Sequence, residues 1–267
     1  MWEDDLEAAS RRRFAWLAGI VAAAFLAGGW YWYTHKNVPV AEPAPALGQA
    51  PAPEAAPQIS HPIAGEGADA GALPALNDSD QLAHDSLAGV LGRDPVEQFL
   101  VPQNVIRHVV VTVDNLARKK VAVDLRPIKP TPGTTVVATQ GELTTIGSDN
   151  YARYAQLMRV VAASDPKALA VVYQHLYPLF QQAYEDLGYP GKYFNDRLVE
   201  VIDSMLQAPE INTPVAVVQP KVFYEFADPE LEARPAGQKL LIRMGPANER
   251  ALKAKLREFR AEIVKQK

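Results

Sequence analysis

From Phe14 to Tyr33 the chain reads FAWLAGIVAAAFLAGGWYWY, 20 residues without a charge. At ~1.5 Å rise per residue, a helix of that length covers about 30 Å, the hydrocarbon thickness of a bilayer. No other feature restricts the chain as much, because a stretch that lies in lipid cannot join a water-facing core. One transmembrane helix over 14–33 is expected. Arg11, Arg12 and Arg13 precede it and only Lys36 follows closely. The positive-inside rule then keeps residues 1–13 in the cytoplasm and exports the rest. In a Gram-negative cell this describes an inner-membrane protein with a periplasmic C-terminal domain. Trp30, Tyr31, Trp32 and Tyr33 at the outer end, with Trp16 inside, are the expected membrane-interface anchors. A cleaved signal peptide also starts with basic residues. Its apolar core is shorter, however, and here WYWYTHKN follows where small residues would mark a cleavage site. Ala15, Gly19, Ala23 and Ala27 form a small-xxx-small stripe that offers a route to a homodimer, although alanine-rich helices show such stripes by chance.

Between Val38 and Ala72, 35 residues include seven prolines, eleven alanines and four glycines. Such a composition buries little apolar surface, so 34–72 reads as a disordered Pro/Ala-rich linker. Its proline-rich half favours polyproline II, and full extension at ~3.1 Å per residue would hold a domain up to about 100 Å from the bilayer. Residues 1–72 carry 4 basic and 8 acidic groups, whereas 73–267 carry 23 of each. A neutral domain has no electrostatic footprint for nucleic acid. The chain has no cysteine, which excludes disulfides, thiolate metal sites and a cysteine nucleophile.

Residues 73–267 read as one mainly helical domain with a small β-hairpin or a few short strands. Ser79 can cap a helix that Gly92 ends, and Asp94 with Pro95 can open a short one. Residues 103–117 are helical in spacing, but the VVVTV run suits a strand equally well. TTVVA and ELTTI flank Thr139, Gln140 and Gly141 as a hairpin. Ser148 can cap a helix to about Ala163, and Asp165 with Pro166 opens another that Gly188 closes. On that one, Tyr173, Tyr177, Phe180 and Tyr184 share a face and Pro178 predicts a kink. Helices over about 193–207, 238–244 and 247–264 follow, with an extended VAVVQPKVFYEF and a turn or short helix at FADPELEA between them. The total expected is seven or eight helices and at most four short strands.

The strings VTVDNLARK, SDNYARY, YPLFQQAYEDLGYPGKYFNDRLVEVID, KVFYEFADPELEARPAGQKLLIRMGP and KAKLREFR closely resemble the domain of unknown function 3014 family of proteobacterial membrane proteins. The resemblance runs from about Leu73 to Ile263, and the anchor-plus-linker layout is similar too. It implies one envelope domain rather than two. It carries over no activity, cofactor or active-site residue.

No G-x-S-x-G elbow, phosphate loop or dinucleotide fingerprint occurs. The five histidines are scattered, and His84 with Asp80 and Asp85 is the nearest approach to a metal cluster. No cofactor or resident metal is expected. Asp196, Glu200 and Asp203 share a helix face with Arg197 beside them. Paired acids can cleave glycosidic bonds, but acids in a first helical turn more often serve the helix dipole or surface ion pairs. Asp196, Arg197 and Glu200, with Asp228 and Glu230 of FADPELE, are candidate contact residues. The reading is a non-enzymatic protein held by lipid through 14–33, presenting a periplasmic domain to an envelope protein or wall polymer. A wall-directed hydrolase using Asp196 or Glu200, and a small-ligand sensor lined by the tyrosine stripe, are the alternatives.

Overall fold

The computed structural model describes residues 59–63, 73–119 and 122–265. The expected membrane segment 14–33, with Trp16, Trp30, Tyr31, Trp32 and Tyr33, lies outside them. Among the described residues no helix is long and apolar enough to cross a membrane. These residues form a mainly helical domain with one small antiparallel sheet.

The helices are α1 (Asp80–Leu91), α2 (Arg93–Phe99), α3 (Val105–Leu116), α4 (Ser148–Ala152), α5 (Ala155–Ala163), α6 (Pro166–Asp186), α7 (Phe194–Leu206), α8 (Pro229–Glu232), α9 (Ala236–Met244) and α10 (Pro246–Ile263). The strands are β1 (Ala138–Gln140), β2 (Leu143–Ile146), β3 (Val215–Val218) and β4 (Glu225–Phe226), paired in that order. Among the described residues ten helices exceed the seven or eight expected because the 148–163 run is split and FADPELE forms a helical turn of its own.

Helix α6 is central and packs against α1, α3, α7 and α10. Its start follows the expected chemistry: Asp165 accepts from the Lys167 N–H at 2.9 Å, and Pro166 occupies the first turn, where a missing N–H costs nothing. The helix continues through Pro178 to Asp186. Its stripe is core, with Tyr173, Tyr177, Phe180 and Tyr184 all buried. Phe180 stacks on Phe194, and Tyr184 on Tyr189. The VVVTV run resolves as helix α3, which buries Val105, Ile106, Val110 and Val113 on one face. That 3.6-residue spacing outweighs the β-preference of valine, since burial and not intrinsic propensity decides.

Several caps differ from expectation. The Ser79 hydroxyl donates back to Leu76 O at 2.7 Å instead of capping α1. Helix α2 begins at Arg93, because Gly92 at φ 89° turns the chain in a single residue and leaves Asp94 inside the first turn. The 148–163 helix breaks at Arg153–Tyr154. There the Tyr151 carbonyl is taken by Asn248 Nδ2 at 3.1 Å, while buried Asn150 bridges Val136 N and Arg243 O. Tertiary hydrogen bonds replace helical ones. The hairpin turn is Gly141–Glu142, not 139–141, since Gln140 pairs with Leu143 and Gly141 supplies the left-handed φ of 61°.

A second, smaller core lies between the sheet and α9: Ile146, Val215, Val217, Phe226 and Ile242. Arg243 sits 4.5 Å over the Phe226 ring, and its burial draws the guanidinium below its ordinary value.

Candidate functional site

The amino end of α7 gathers the carboxylates singled out in the sequence. Asp196 accepts two backbone N–H groups from a distant segment, Ser60 at 3.0 Å and His61 at 2.7 Å. Beside it the Ile63 N–H donates to the Tyr193 hydroxyl at 2.8 Å, and buried Asn195 donates to His61 O at 2.9 Å and to Ile263 O at 3.2 Å. The Ile63 side chain enters the main core at 5% exposure. Residues 59–63 are therefore a strap bound to the domain, although composition assigns them to the linker. The correction has a physical cause: a carboxylate, a hydroxyl and a carboxamide satisfy this backbone where no ladder does. Asp196→Ala removes the two charge-assisted acceptors. Amide hydrogen exchange at Ser60 and His61 should then quicken by roughly 10–100-fold, from ~1.5–3 kcal/mol per charged hydrogen bond. Unchanged protection would mean that the Ile63 side chain and the Tyr193 and Asn195 bonds seat the strap without Asp196.

The other acids of α7 serve different neighbours. Arg197 donates to Asp114 on α3 through Nε at 3.2 Å and Nη2 at 3.0 Å, and to Glu200 at 2.8 Å. Burial alone would lower the Arg197 guanidinium, but hydrogen bonding and charge from Glu200, together with Asp114, hold it above its ordinary value. Asp114 also accepts from Arg118 at 2.6 Å and from the Tyr189 hydroxyl at 3.2 Å. Asp203 takes a forked pair of bonds from Arg260 on α10, which raises that guanidinium. Asp196, Glu200 and Asp203 thus hold the strap, Arg197 and α10 respectively, not a shared point where substrate could sit.

Asp228 caps the short α8, accepting from the Glu230 N–H at 2.8 Å, and Glu230 is exposed. The neighbour that ties this region together is Glu232, which accepts from Phe226 N at 2.9 Å and from Lys239 Nζ at 2.5 Å. Burial would raise its carboxyl, but these two bonds and the Lys239 charge bring it below the usual range. Asp80 caps α3 from a distance, accepting from Asn104 N and Val105 N at 2.8 and 2.9 Å, and His84 Nε2 lies 3.0 Å from Val101 O. Among the described residues no three His, Asp or Glu side chains converge as a metal site would require.

An apolar cavity of about 370 Å³ lies within the helical layer, walled by α1, α3, α5, α6, α7 and α10. Tyr173 and Phe180 of the stripe line it, whereas Tyr177 does not. Tyr177 is fully buried, donates to Gln181 at 3.0 Å, and burial pushes its phenol far above the ordinary value. The sensor expectation therefore has part of its stripe on a cavity and part packed solid. Lys255 is the charged group in the wall. Its Nζ donates to Ser164 O at 2.7 Å and has no carboxylate partner among the described residues. Sequence reasoning missed Lys255 and the cavity. The available signal was a lysine at 255, one turn after Leu252 and beside the Leu252, Leu256, Phe259 apolar row.

This is a mainly helical domain whose most distinctive internal feature is an apolar pocket. A family model described as protein of unknown function (DUF3014) matches residues 105–260, more than half of the chain, and the chain belongs to that family. The match holds every wall of the cavity except α1, together with Tyr193, Asn195 and Asp196, but not the strap that they bind. No match was found among curated proteins, and none among solved structures.

Proposed function

We propose that the protein is a non-enzymatic binding module of the cell envelope. Residues 14–33 anchor it in the inner membrane, the Pro/Ala-rich stretch gives it reach, and the helical domain works on the periplasmic side. The observation that supports binding over catalysis is the cavity: about 370 Å³ with apolar walls and a single lysine, whose Nζ and the neighbouring Ser164 Oγ donate to backbone carbonyls and not to each other. The acids that a wall hydrolase would need are engaged as ties to the strap, Arg197 and Arg260.

A second contact, with another envelope component, is favoured by the β3–β4 loop. It carries Val222 and Phe223 at 76% and 79% exposure, next to Val218 at 48%. Apolar side chains this exposed and adjacent mark an interaction surface more often than a free one.

Two readouts in living cells test this reading. A periplasm-dependent phosphatase fused after Lys267 should be active, and a photo-crosslinking residue at position 223 should yield a discrete adduct with an envelope protein. An inactive phosphatase, with a cytosolic reporter active at the same junction, would overturn the orientation and the periplasmic assignment with it.

A further inference from the structure

The apolar pocket of about 370 Å³ lies against the main core and is about half open to solvent, and its walls name what could fill it. Its lining on α6 runs from Pro166 to Phe180. At ~1.5 Å per residue that is roughly 21 Å, long enough to lie along one extended alkyl chain.

The chamber has one charged group in its wall, and it stands at one end. At the far end Leu176, Phe180 and Phe194 are 2%, 8% and 0% exposed. At the near end Val161, Leu169 and Leu252 are half-buried, and Lys255 stands there over Ser164. The Lys255 ammonium spends one donor on the Ser164 carbonyl and has no carboxylate partner among the described residues, so donors remain for an anion. One ammonium balances one anionic charge, which a carboxylate headgroup carries.

We propose that this cavity binds one long-chain fatty acid, with its hydrocarbon tail between Phe180 and Phe194 and its carboxylate at Lys255. This rests on the binding-module reading and adds the ligand's chemical class and orientation to it.

The test uses the full chain in lipid nanodiscs with palmitic acid carrying a diazirine at its terminal carbon, and in parallel the corresponding neutral hexadecanol probe. On illumination the acid should label the 176–198 stretch more strongly than the alcohol does. Lys255→Glu should cut that labelling by about tenfold, equivalent to ~1.4 kcal/mol, with unchanged circular dichroism. Leu198→Trp should abolish it by filling the tail end. Should Leu198→Trp unfold the domain, Val109→Phe fills the same space from α3. If both probes label 176–198 equally and Lys255→Glu changes neither, the fatty-acid assignment fails while an apolar ligand site survives. If neither probe labels 176–198 although both react with the surrounding lipid, the binding reading fails with it.

Discussion

Gly245→Ala should cost the domain about 3 kcal/mol or more, a fall of about 6–12 °C in thermal midpoint for a domain of this size. Two independent penalties combine at this residue, which ends α9 and caps α10. Its backbone sits at φ 86° and ψ 159°, a conformation essentially reserved for glycine. A β-carbon there would also lie 2.4–2.7 Å from the Cγ, Cδ2 and Cδ1 atoms of the Tyr151 ring. That ring cannot swing aside cheaply, because its hydroxyl donates to Ile146 O at 3.2 Å and it packs on the second core. Gly141→Ala, with a φ of 61° and open space around it, pays only the backbone penalty and should lose about 1 kcal/mol. Adding Tyr151→Ala to Gly245→Ala should return the steric share and not the backbone share. Thermal unfolding of the parent, Gly245→Ala, Tyr151→Ala and the double variant separates the two. A Gly245→Ala midpoint equal to the parent's would sink the argument, since it requires a different backbone between α9 and α10.

Lys253→Met should be comparably damaging at neutral pH. Glu249 and Lys253 are an i,i+4 pair on α10 with side chains only 1% and 3% exposed and 2.7 Å between Oε1 and Nζ. The ammonium also donates to Ala208 O at 2.5 Å. Breaking a buried pair leaves an uncompensated charge and typically costs about 3–5 kcal/mol. Burial already pushes the Glu249 carboxyl up, and Lys253 is the main influence holding it back. An acid whose folded value is raised contributes stability that is present below its unfolded value of ~4.3 and is lost as pH rises through the folded one. Without Lys253 that folded value climbs further. The deficit should thus be small near pH 4 and grow toward pH 8 in urea titrations. Pairing Lys253→Met with Glu249→Leu should recover most of the loss, because an apolar pair replaces the ionic one. A deficit that does not vary with pH would show that lost packing, not charge, is responsible.

Helical periodicity made much of this fold readable. The α3 and α6 rows, the Asp165–Pro166 start and the burial of the tyrosine stripe all follow from local spacing, and local spacing is what a sequence displays. The strap was not readable, because Ile63 stands in a Pro/Ala-rich stretch and its partners lie 130 residues or more away at Tyr193, Asn195 and Asp196. The Glu249–Lys253 pair was hidden in a helix that looks like a charged outer face. The cavity is a property of how α3, α6 and α10 are spaced, and no single helix encodes that distance. Lys255 shows the limit well: its chemistry was visible from the start, and its place at the mouth of a chamber was not.

The strap also decides where the molecule feels tension. Any pull from the residues ahead of Ile59 arrives first at the Asp196 carboxylate and the Ile63 socket, not at the start of α1. The load then enters the domain at the amino end of α7, one residue from the Phe194 ring in the chamber wall.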